Sequence, residues 1–204
     1  MDPYHKLKME LQKYFYFDLT NLIISFYCFS KKYKKKNKHI YSQQCIFIGD
    51  LVGTHYCIKN NIFNELTFVY ACRKGYISVV KKLLWHINNF DYGLREACKG
   101  HQWKIIHYLT RHGANDWGGA LSSACVHGHL DIIKFILSKV KIKSNFNYKK
   151  GFYYACIGGH LKSVQHMVKY ISANDFIKGF KKAKYHKHIL HWLQTHSKQL
   201  SKNI

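Results

Sequence analysis

Four Ala-Cys pairs, spaced almost evenly through the middle of the chain, constrain its fold more than any other feature. They are Ala71-Cys72, Ala97-Cys98, Ala124-Cys125 and Ala155-Cys156, and their cysteines lie 26, 27 and 31 residues apart. Around each pair, large apolar residues stand four positions before the cysteine and five, eight and eleven positions after it. These residues are Phe68, Leu94, Leu121 and Phe152; Ile77, Trp103, Leu130 and Leu161; Val80, Ile106, Ile133 and Val164; and Leu83, Leu109, Ile136 and Met167. Self-similarity at this period predicts an all-α solenoid of stacked helix pairs.

The third copy, Leu121–Leu137, shows how one unit folds. Its apolar residues recur at i, i+3 and i+4 on both sides of Gly128, which predicts two short helices joined by a tight turn. Glycine suits this turn because it adopts positive φ without a steric cost. In the second copy the glycine stands one place earlier, at Gly100, so we expect a different turn there.

These columns resemble ankyrin repeats, in which an Ala is followed by a Gly-His turn and a Leu-x-x-Val-x-x-Leu-Leu run. Gly128-His129 and Gly159-His160 carry the closest matches, and the likeness covers roughly residues 65–170. The resemblance implies a protein-binding solenoid whose turn histidines hydrogen-bond local backbone. The Thr-Pro-Leu-His opening is absent and the period is shorter than the roughly 33 residues of the standard unit. We therefore expect the projecting hairpins to be trimmed or irregular.

The Ala-Cys pairs, together with an abundance of Lys, Asn, Ile, Tyr and Phe, are similar to the ankyrin-type proteins of large DNA viruses. The asfarvirus multigene families are the nearest of these. This resemblance implies a non-enzymatic protein that acts on host proteins and affects tropism and replication in macrophages. It also implies a location in the host cell cytoplasm, with the nucleus as an alternative.

The pattern divides the chain into four parts. Residues 1–38 combine an apolar stretch with a lysine-rich segment, and residues 39–62 hold a degenerate repeat that lacks the Ala-Cys marker. Residues 63–173 hold the four repeats. Residues 174–204 form a closing cap, with apolar residues from Phe176 to Leu193 inside, and a basic tail. A polar outer face, formed by Lys181, Lys182, Lys184, His186, Lys187 and His188, is what a terminal cap requires.

The apolar stretch Tyr14–Ser30 invites a membrane interpretation, because a block of lysines follows it. Asp18, Thr20 and Asn21 interrupt it, and the uninterrupted part, Leu22–Phe29, is shorter than the roughly 20 residues needed to span a bilayer. A buried helix is therefore favoured over a membrane anchor.

The charge of the chain is unusual, since 33 Lys and Arg residues against 10 Asp and Glu residues leave a net +23. Such a charge attracts nucleic acid, anionic lipid or acidic protein surfaces, although lysine-rich coding in an AT-biased genome would produce it without any function. The densest cluster is the lysine block Lys31, Lys32, Lys34, Lys35, Lys36 and Lys38. It is either a solvated loop or a patch for phosphate contact or nuclear localisation. The alternative function is thus a nucleic-acid-associated protein that uses this block and the C-terminal lysines and histidines.

Catalytic and metal-binding patterns are missing. Four of the seven cysteines occupy the repeat column, where a cysteine acts as a small hydrophobe, and no secretory signal is evident, which favours a reducing compartment. Cys125 with His129, and Cys156 with His160, lie four residues apart, but a glycine turn separates each pair. There is no Cys-x-x-Cys, no His-Glu-x-x-His, no Gly-x-Ser-x-Gly and no phosphate-binding glycine loop. We predict no enzymatic activity, metal or cofactor.

The segments between the units are the expected partner contacts: His86–Asp91, His112–Trp117 and Lys143–Lys149. The candidate protein-binding residues are Trp85, His86, Asn89, His112, Asn115, Asp116, Trp117, Asn145 and Asn147. Tryptophan is enriched at binding hot spots. Trp85 closes a helix, however, and we expect it to pack against the next unit, whereas burial and exposure are equally expected for Trp117.

Overall fold

A computed structural model of the chain describes Ser42, Cys45, Gly49, Thr54, residues 57–140 and residues 146–200 (for 198–200, the backbone only). Within these residues the structure is helical and contains no strand, so the predicted all-α helical repeat solenoid is confirmed. Tyr14–Ser30, the lysine block and Asn145 lie outside the described residues. None of the helices from Glu65 onward is long and apolar enough to cross a bilayer.

The helices alternate along the chain as first and second members of pairs. They are α1 Glu65–Lys74 and α2 Ile77–Leu83, α3 Asp91–Lys99 and α4 Trp103–Arg111, α5 Trp117–His127 and α6 Leu130–Val140, α7 Tyr148–Gly158 and α8 Leu161–Met167, and α9 Ala173–Lys182 and α10 Lys187–Leu200. Short 3₁₀ turns, Leu84–His86 and Val168–Tyr170, continue α2 and α8.

The chain divides into two compact units, residues 1–88 and residues 89–204. In the first unit, α1 begins with a reciprocal cap, because Asn64 Oδ1 accepts from the Thr67 N–H and Thr67 Oγ1 accepts from the Asn64 N–H, both at 3.1 Å. Thr67 Oγ1 also lies 2.8 Å from the buried Ser42 hydroxyl. The second unit contains the pairs from α3 to α10. The predicted bounds of the four sequence segments stay predictions.

The core follows the repeat columns. The Ala-Cys pairs and the apolar residues at positions −4, +8 and +11 from the cysteine are all at most 1% exposed. The column at +5 is only half-buried, because Ile77, Trp103, Leu130 and Leu161 open the second helices at the edge of the core. A column at +7, which the sequence reading overlooked, is buried in all four units. It contains Val79, Ile105, Ile132 and Ser163.

The turn within each helix pair of the four repeats has a left-handed residue at the same position. At position +3 from the cysteine, Gly75, Gly128 and Gly159 have φ between 75° and 87°. In the second repeat His101 takes this place with φ 59°, while Gly100 keeps a φ of −85°. In every repeat the next N–H donates to the carbonyl of the repeat alanine, as Gln102 does to Ala97 at 2.9 Å and His129 does to Ala124 at 3.0 Å. The expectation that the second turn differs is confirmed in part, because α3 ends one residue earlier and the His101 N–H donates to the Cys98 carbonyl at 3.4 Å. The left-handed position is kept, since histidine tolerates this conformation better than most residues.

Turn histidines connect neighbouring repeats. His129 Nε2 donates to the Lys99 carbonyl and His160 Nε2 to the Val126 carbonyl, each at 3.1 Å. His186 Nε2 donates to the Ile157 carbonyl at 2.8 Å. The partners are about 30 residues earlier in the chain, so the expected bond to local backbone is corrected to a bond between repeats. His186 belongs to this ladder and is half-buried, which corrects its assignment to the outer face of the cap.

Candidate partner-binding surface

Two of the predicted contact residues are helix N-caps, and a third accepts a hydrogen bond beside a helix start. Asp116 Oδ1 accepts from the Gly119 N–H at 2.9 Å, and Asn147 Oδ1 accepts from the Lys150 N–H at 3.3 Å, at the starts of α5 and α7. Asn89 Oδ1 accepts from the Asp91 N–H at 3.0 Å beside the start of α3. Such residues are preferred before helices because they satisfy free backbone N–H groups. Their polar character therefore has a reason within the fold, and their contact with a partner stays a prediction.

The loop from His112 to Trp117 is fixed to α3. Asp91 Oδ1 accepts from the Asn115 and Asp116 N–H groups at 2.8 and 3.0 Å, and the Asp116 carboxylate forms an ion pair with Arg95. His112 Nδ1 donates to the Tyr108 carbonyl at 2.8 Å. The loop thus presents its exposed side chains from a fixed backbone.

Four predicted residues share one shallow groove. Asn115, Asp116, Trp117 and Asn147 line a cavity of about 270 Å³ together with Gly118, Lys139, Val140 and Phe146. Trp117 is half-buried, with its ring edge-to-face to Phe135 at 6.3 Å between centroids.

Trp85 and His86 belong to the first compact unit and are both exposed. The Trp85 side chain is 84% exposed, so the expectation that it is packed is wrong. It occupies a 3₁₀ turn beyond the end of α2, where the apolar face of the helix no longer orients side chains toward the core. His86 lies against Phe63, with ring centroids 5.0 Å apart.

A second surface, which the sequence reading missed, runs across the first helices of the second unit. We call it the first-helix face. Successive first helices pack side by side, so residues at the same column form a row. The positions −2 and +1 from the cysteine point outward, and they hold Glu96, Lys99, Ser123, Val126, Tyr154 and Ile157.

The chemistry of this face changes along the row. At α3, Lys99 Nζ lies 3.4 Å from Glu96 Oε1, which gives a charged end. Ser123 and Val126 make the middle small and half-buried. At α7, Tyr154 and Ile157 are 40% and 43% exposed and form an apolar end. The sequence carries no clear signal for them, because the other repeats place Tyr70, Glu96 and Ser123, or Arg73, Lys99 and Val126, in these two columns.

The repeat cysteines offer no reactive chemistry. All four are fully buried, and burial raises the pKa of the Cys98 and Cys156 thiols to about 12. Burial, followed by the neighbouring Cys156, raises the pKa of Cys125 as well. The thiolate is the form that acts as a nucleophile or metal ligand, so burial disfavours both roles at these three cysteines. Within the described ranges, no group of three or more His, Cys, Asp or Glu side chains is arranged to hold a metal ion.

The fold and this surface define an all-α helical repeat protein, and comparison with known proteins shows similarity to ankyrin repeats. Residues 55–150 match the family model described as ankyrin repeats (3 copies). The chain is also similar to an ankyrin repeat protein of Acanthamoeba polyphaga mimivirus, with 31% identity over 123 residues. That match covers 60% of this chain and 14% of the mimivirus protein, so the chain spans only a small part of its relative.

Proposed function

We propose that this chain is a non-enzymatic scaffold of viral origin that binds a host protein through the first-helix face. The observation that carries the proposal is the exposure of Tyr154 and Ile157, which stand three residues apart on α7 and so lie side by side. An aromatic and a branched aliphatic side chain, next to small and charged neighbours, have the composition of a binding hot spot with a polar rim.

The repeat architecture supports binding rather than chemistry. Stacked repeats build an extended surface from equivalent columns, and ankyrin repeats mediate contacts between proteins. The groove at Asn115 and Trp117 provides a second set of fixed side chains on the same unit. A partner that contacts both would be recognised by apolar packing at α7 and by hydrogen bonds at the loop.

The proposed setting is the cytoplasm of an infected cell, where the protein modifies tropism and replication in macrophages. The similarity to a mimivirus protein supports a viral source. The finer assignment to an asfarvirus-type multigene family, and with it the macrophage role, rests on the Ala-Cys pairs and the Lys-, Asn- and Ile-rich composition.

The experiment is an affinity capture from macrophage lysate with the tagged full chain and its Tyr154→Ser/Ile157→Ser variant. We expect at least a tenfold loss of the captured host protein, because a hot-spot residue typically contributes 2 kcal/mol or more and about 1.4 kcal/mol is a factor of ten. Tyr185→Ser is the control, since Tyr185 is 80% exposed between α9 and α10. Equal capture by wild type and the double variant, both folded by circular dichroism, would remove the first-helix face from the proposal.

A further inference from the structure

The second helices of residues 89–204 present a different surface, the second-helix face. Six of its side chains are lysines or arginine exposed to solvent, two from each of α4, α6 and α8 with its 3₁₀ continuation. They are Lys104, Arg111, Lys134, Lys139, Lys162 and Lys169.

These cations form no ion pair within the described part of the chain. Among the described residues, none of the six lies within ion-pair distance of a carboxylate, and the carboxylate of α6, Asp131, is already bound. Asp131 Oδ2 accepts from His101 Nε2 at 2.7 Å and from Trp103 Nε1 at 3.0 Å. On the first helices, by contrast, Arg95 and Lys99 are paired with Asp116 and Glu96.

The second-helix face is continuous. The Phe135 ring of α6 lies 5.3 Å from the rings of Trp103 and His107 on α4, and Lys139 Nζ lies 5.5 Å from the Phe135 ring. Between α6 and α8, the pKa of His166 is lowered by burial and then by the positive charges of Lys134 and Lys169. Lys134 of α6 and Lys169 after α8 therefore both lie close enough to His166 to affect its pKa.

The cations are spread over three neighbouring helices. On α4 and α8 the two cations are seven residues apart, which at about 1.5 Å per residue places them roughly 10 Å apart along the helix and on the same side of it. On α6 they are five residues apart, about 7.5 Å along the helix and about 140° around it, and Asp131 and Ser138 occupy the columns of Lys104 and Arg111. Helices that pack side by side are spaced by about 8–10 Å, so the patch is about two helix spacings wide. A patch of this width can contact both phosphate backbones of a duplex, whereas a single strand offers only one backbone.

We propose that the second-helix face binds the phosphate backbone of a nucleic acid duplex without reading its sequence. Five of the six cations are lysines, which act as point charges rather than as bidentate readers of base edges. No described residue of α4, α6 or α8 is a large exposed hydrophobic, which a membrane surface or the core of a protein interface would require. The rings of Trp103 and Phe135 pack on each other, so they are not free platforms for base stacking.

The test is a fluorescence anisotropy titration of the full chain with a labelled 20-base-pair duplex of scrambled sequence, between about 50 and 200 mM salt. Each phosphate contact contributes a slope of about −0.9 to the plot of log K against log salt, so six contacts lower the affinity roughly 10³-fold across this range. We expect the variant with all six cations changed to Gln to lose a slope of about 3–5 and to bind at least 100-fold more weakly at low salt.

The control changes the six lysines of the lysine block to Gln, which removes the same charge from the chain. We expect it to keep most of the wild-type slope. A smaller variant, Lys134→Gln/Lys162→Gln/Lys169→Gln, should lose about half as much of the salt slope as the six-residue variant. If the six-residue variant does not fold, this smaller variant is the test.

Wild-type binding by the folded six-residue variant would overturn the proposal. So would an equal loss in both six-residue variants, because binding would then follow net charge and not this face. Tighter binding to the single strand than to the duplex would also overturn it, as would binding to phosphatidylserine vesicles through these cations without duplex binding.

Discussion

The first-helix face and the second-helix face of residues 89–204 are built on the same repeat, yet they differ in chemistry. On the first, the charges are paired and two large apolar side chains are exposed at α7. On the second, six cations are exposed and unpaired by carboxylates of the described part. The buried columns of both helices are nearly uniform, because close packing permits little variation there. The comparison teaches that the exposed columns, in which the residue type varies from repeat to repeat, determine what such an array can bind.

The largest effect should come from a change that breaks both faces together. A Cβ on Gly128 would lie 2.4 Å from His160 Nδ1 of the next repeat, and its φ is +75°. We expect Gly128→Ala to lower the free energy of unfolding by about 2–5 kcal/mol, from left-handed strain of 1–2 and overpacking of 1–3. Urea denaturation measures this.

The matched control is Gly113→Ala. Gly113 has a φ of +100°, but nothing lies within 4 Å of its added Cβ. Gly113→Ala should lower the free energy of unfolding only through left-handed backbone strain, by about 1–2 kcal/mol. Equal losses for the two variants would show that the close approach of the His160 ring does not matter.

A smaller loss of stability is expected from a change that removes a contact between two first helices and leaves the second-helix face unchanged. Tyr153 Oη donates to Asp175 Oδ1 at 2.7 Å and so joins α7 to α9. Tyr153→Phe should lower stability at pH 7 by about 1–2 kcal/mol, since the bond is to a charged acceptor in a partly exposed site. Tyr154→Phe, one residue away on the exposed side, should change stability by less than about 0.5 kcal/mol.

The same pair makes a pH prediction. The hydrogen bonds from Tyr153 and then Ser172 lower the pKa of Asp175. A carboxyl whose pKa is lower in the folded state stabilises the protein above its unfolded pKa of about 3.9, and this stabilisation is lost as the pH falls through the folded value. The stability difference between wild type and Tyr153→Phe should therefore shrink below about pH 4. A difference that grows in acid would contradict the assignment.

A change on the second helices should stabilise the protein. Ser163 occupies the buried column that holds Val79, Ile105 and Ile132, and its Oγ has no hydrogen-bond partner among the residues that the structure describes. We expect Ser163→Val to raise the melting temperature, with a gain of about 1 kcal/mol, because an unsatisfied buried hydroxyl costs about 1–3 kcal/mol. Ser138→Val, at an exposed site on α6, is the control and should give no gain. A lower melting temperature for Ser163→Val would show that the column has no room for a branched side chain.

The smallest effect is expected where the second repeat differs from the third. His101→Gly removes the left-handed strain, worth about 1 kcal/mol, but also removes the bond to Asp131. The two terms oppose each other, so the melting temperature should move by no more than about 5 °C in either direction. A loss comparable to that of Gly128→Ala would mean that the His101–Asp131 pair, rather than the turn, holds these repeats in register.

The repeat and its core could be predicted because both depend on periodic burial. Ala124 and Cys125 recur with apolar residues at helical spacing, and only a stacked helix pair buries all of them. The left-handed residue of the second turn could not be predicted from the position of its glycine, since His101, and not Gly100, has the positive φ. The histidine bonds to a repeat about 30 residues away depend on stacking, which no local pattern contains.

The candidate surfaces could be predicted only in part. The interhelical loops stand out as polar, but Asp116 and Asn147 are polar because they cap helices. Tyr154 and Ile157 are apolar residues in a helix, which a sequence reading assigns to a core. Their exposure follows from their columns, −2 and +1 from the cysteine, which point outward in α3 and α5 as well. Trp85 was misassigned because its helix changes to a 3₁₀ turn.

One measurement tests the separation of the two faces most directly. The tagged wild type, the Tyr154→Ser/Ile157→Ser variant and the six-cation variant are each compared for capture of the host protein, after nuclease treatment, and for duplex affinity. The account predicts that the first variant loses the protein and keeps the duplex, while the second loses the duplex and keeps the protein. Loss of both ligands in either folded variant, or loss of protein capture on nuclease treatment alone, would contradict it.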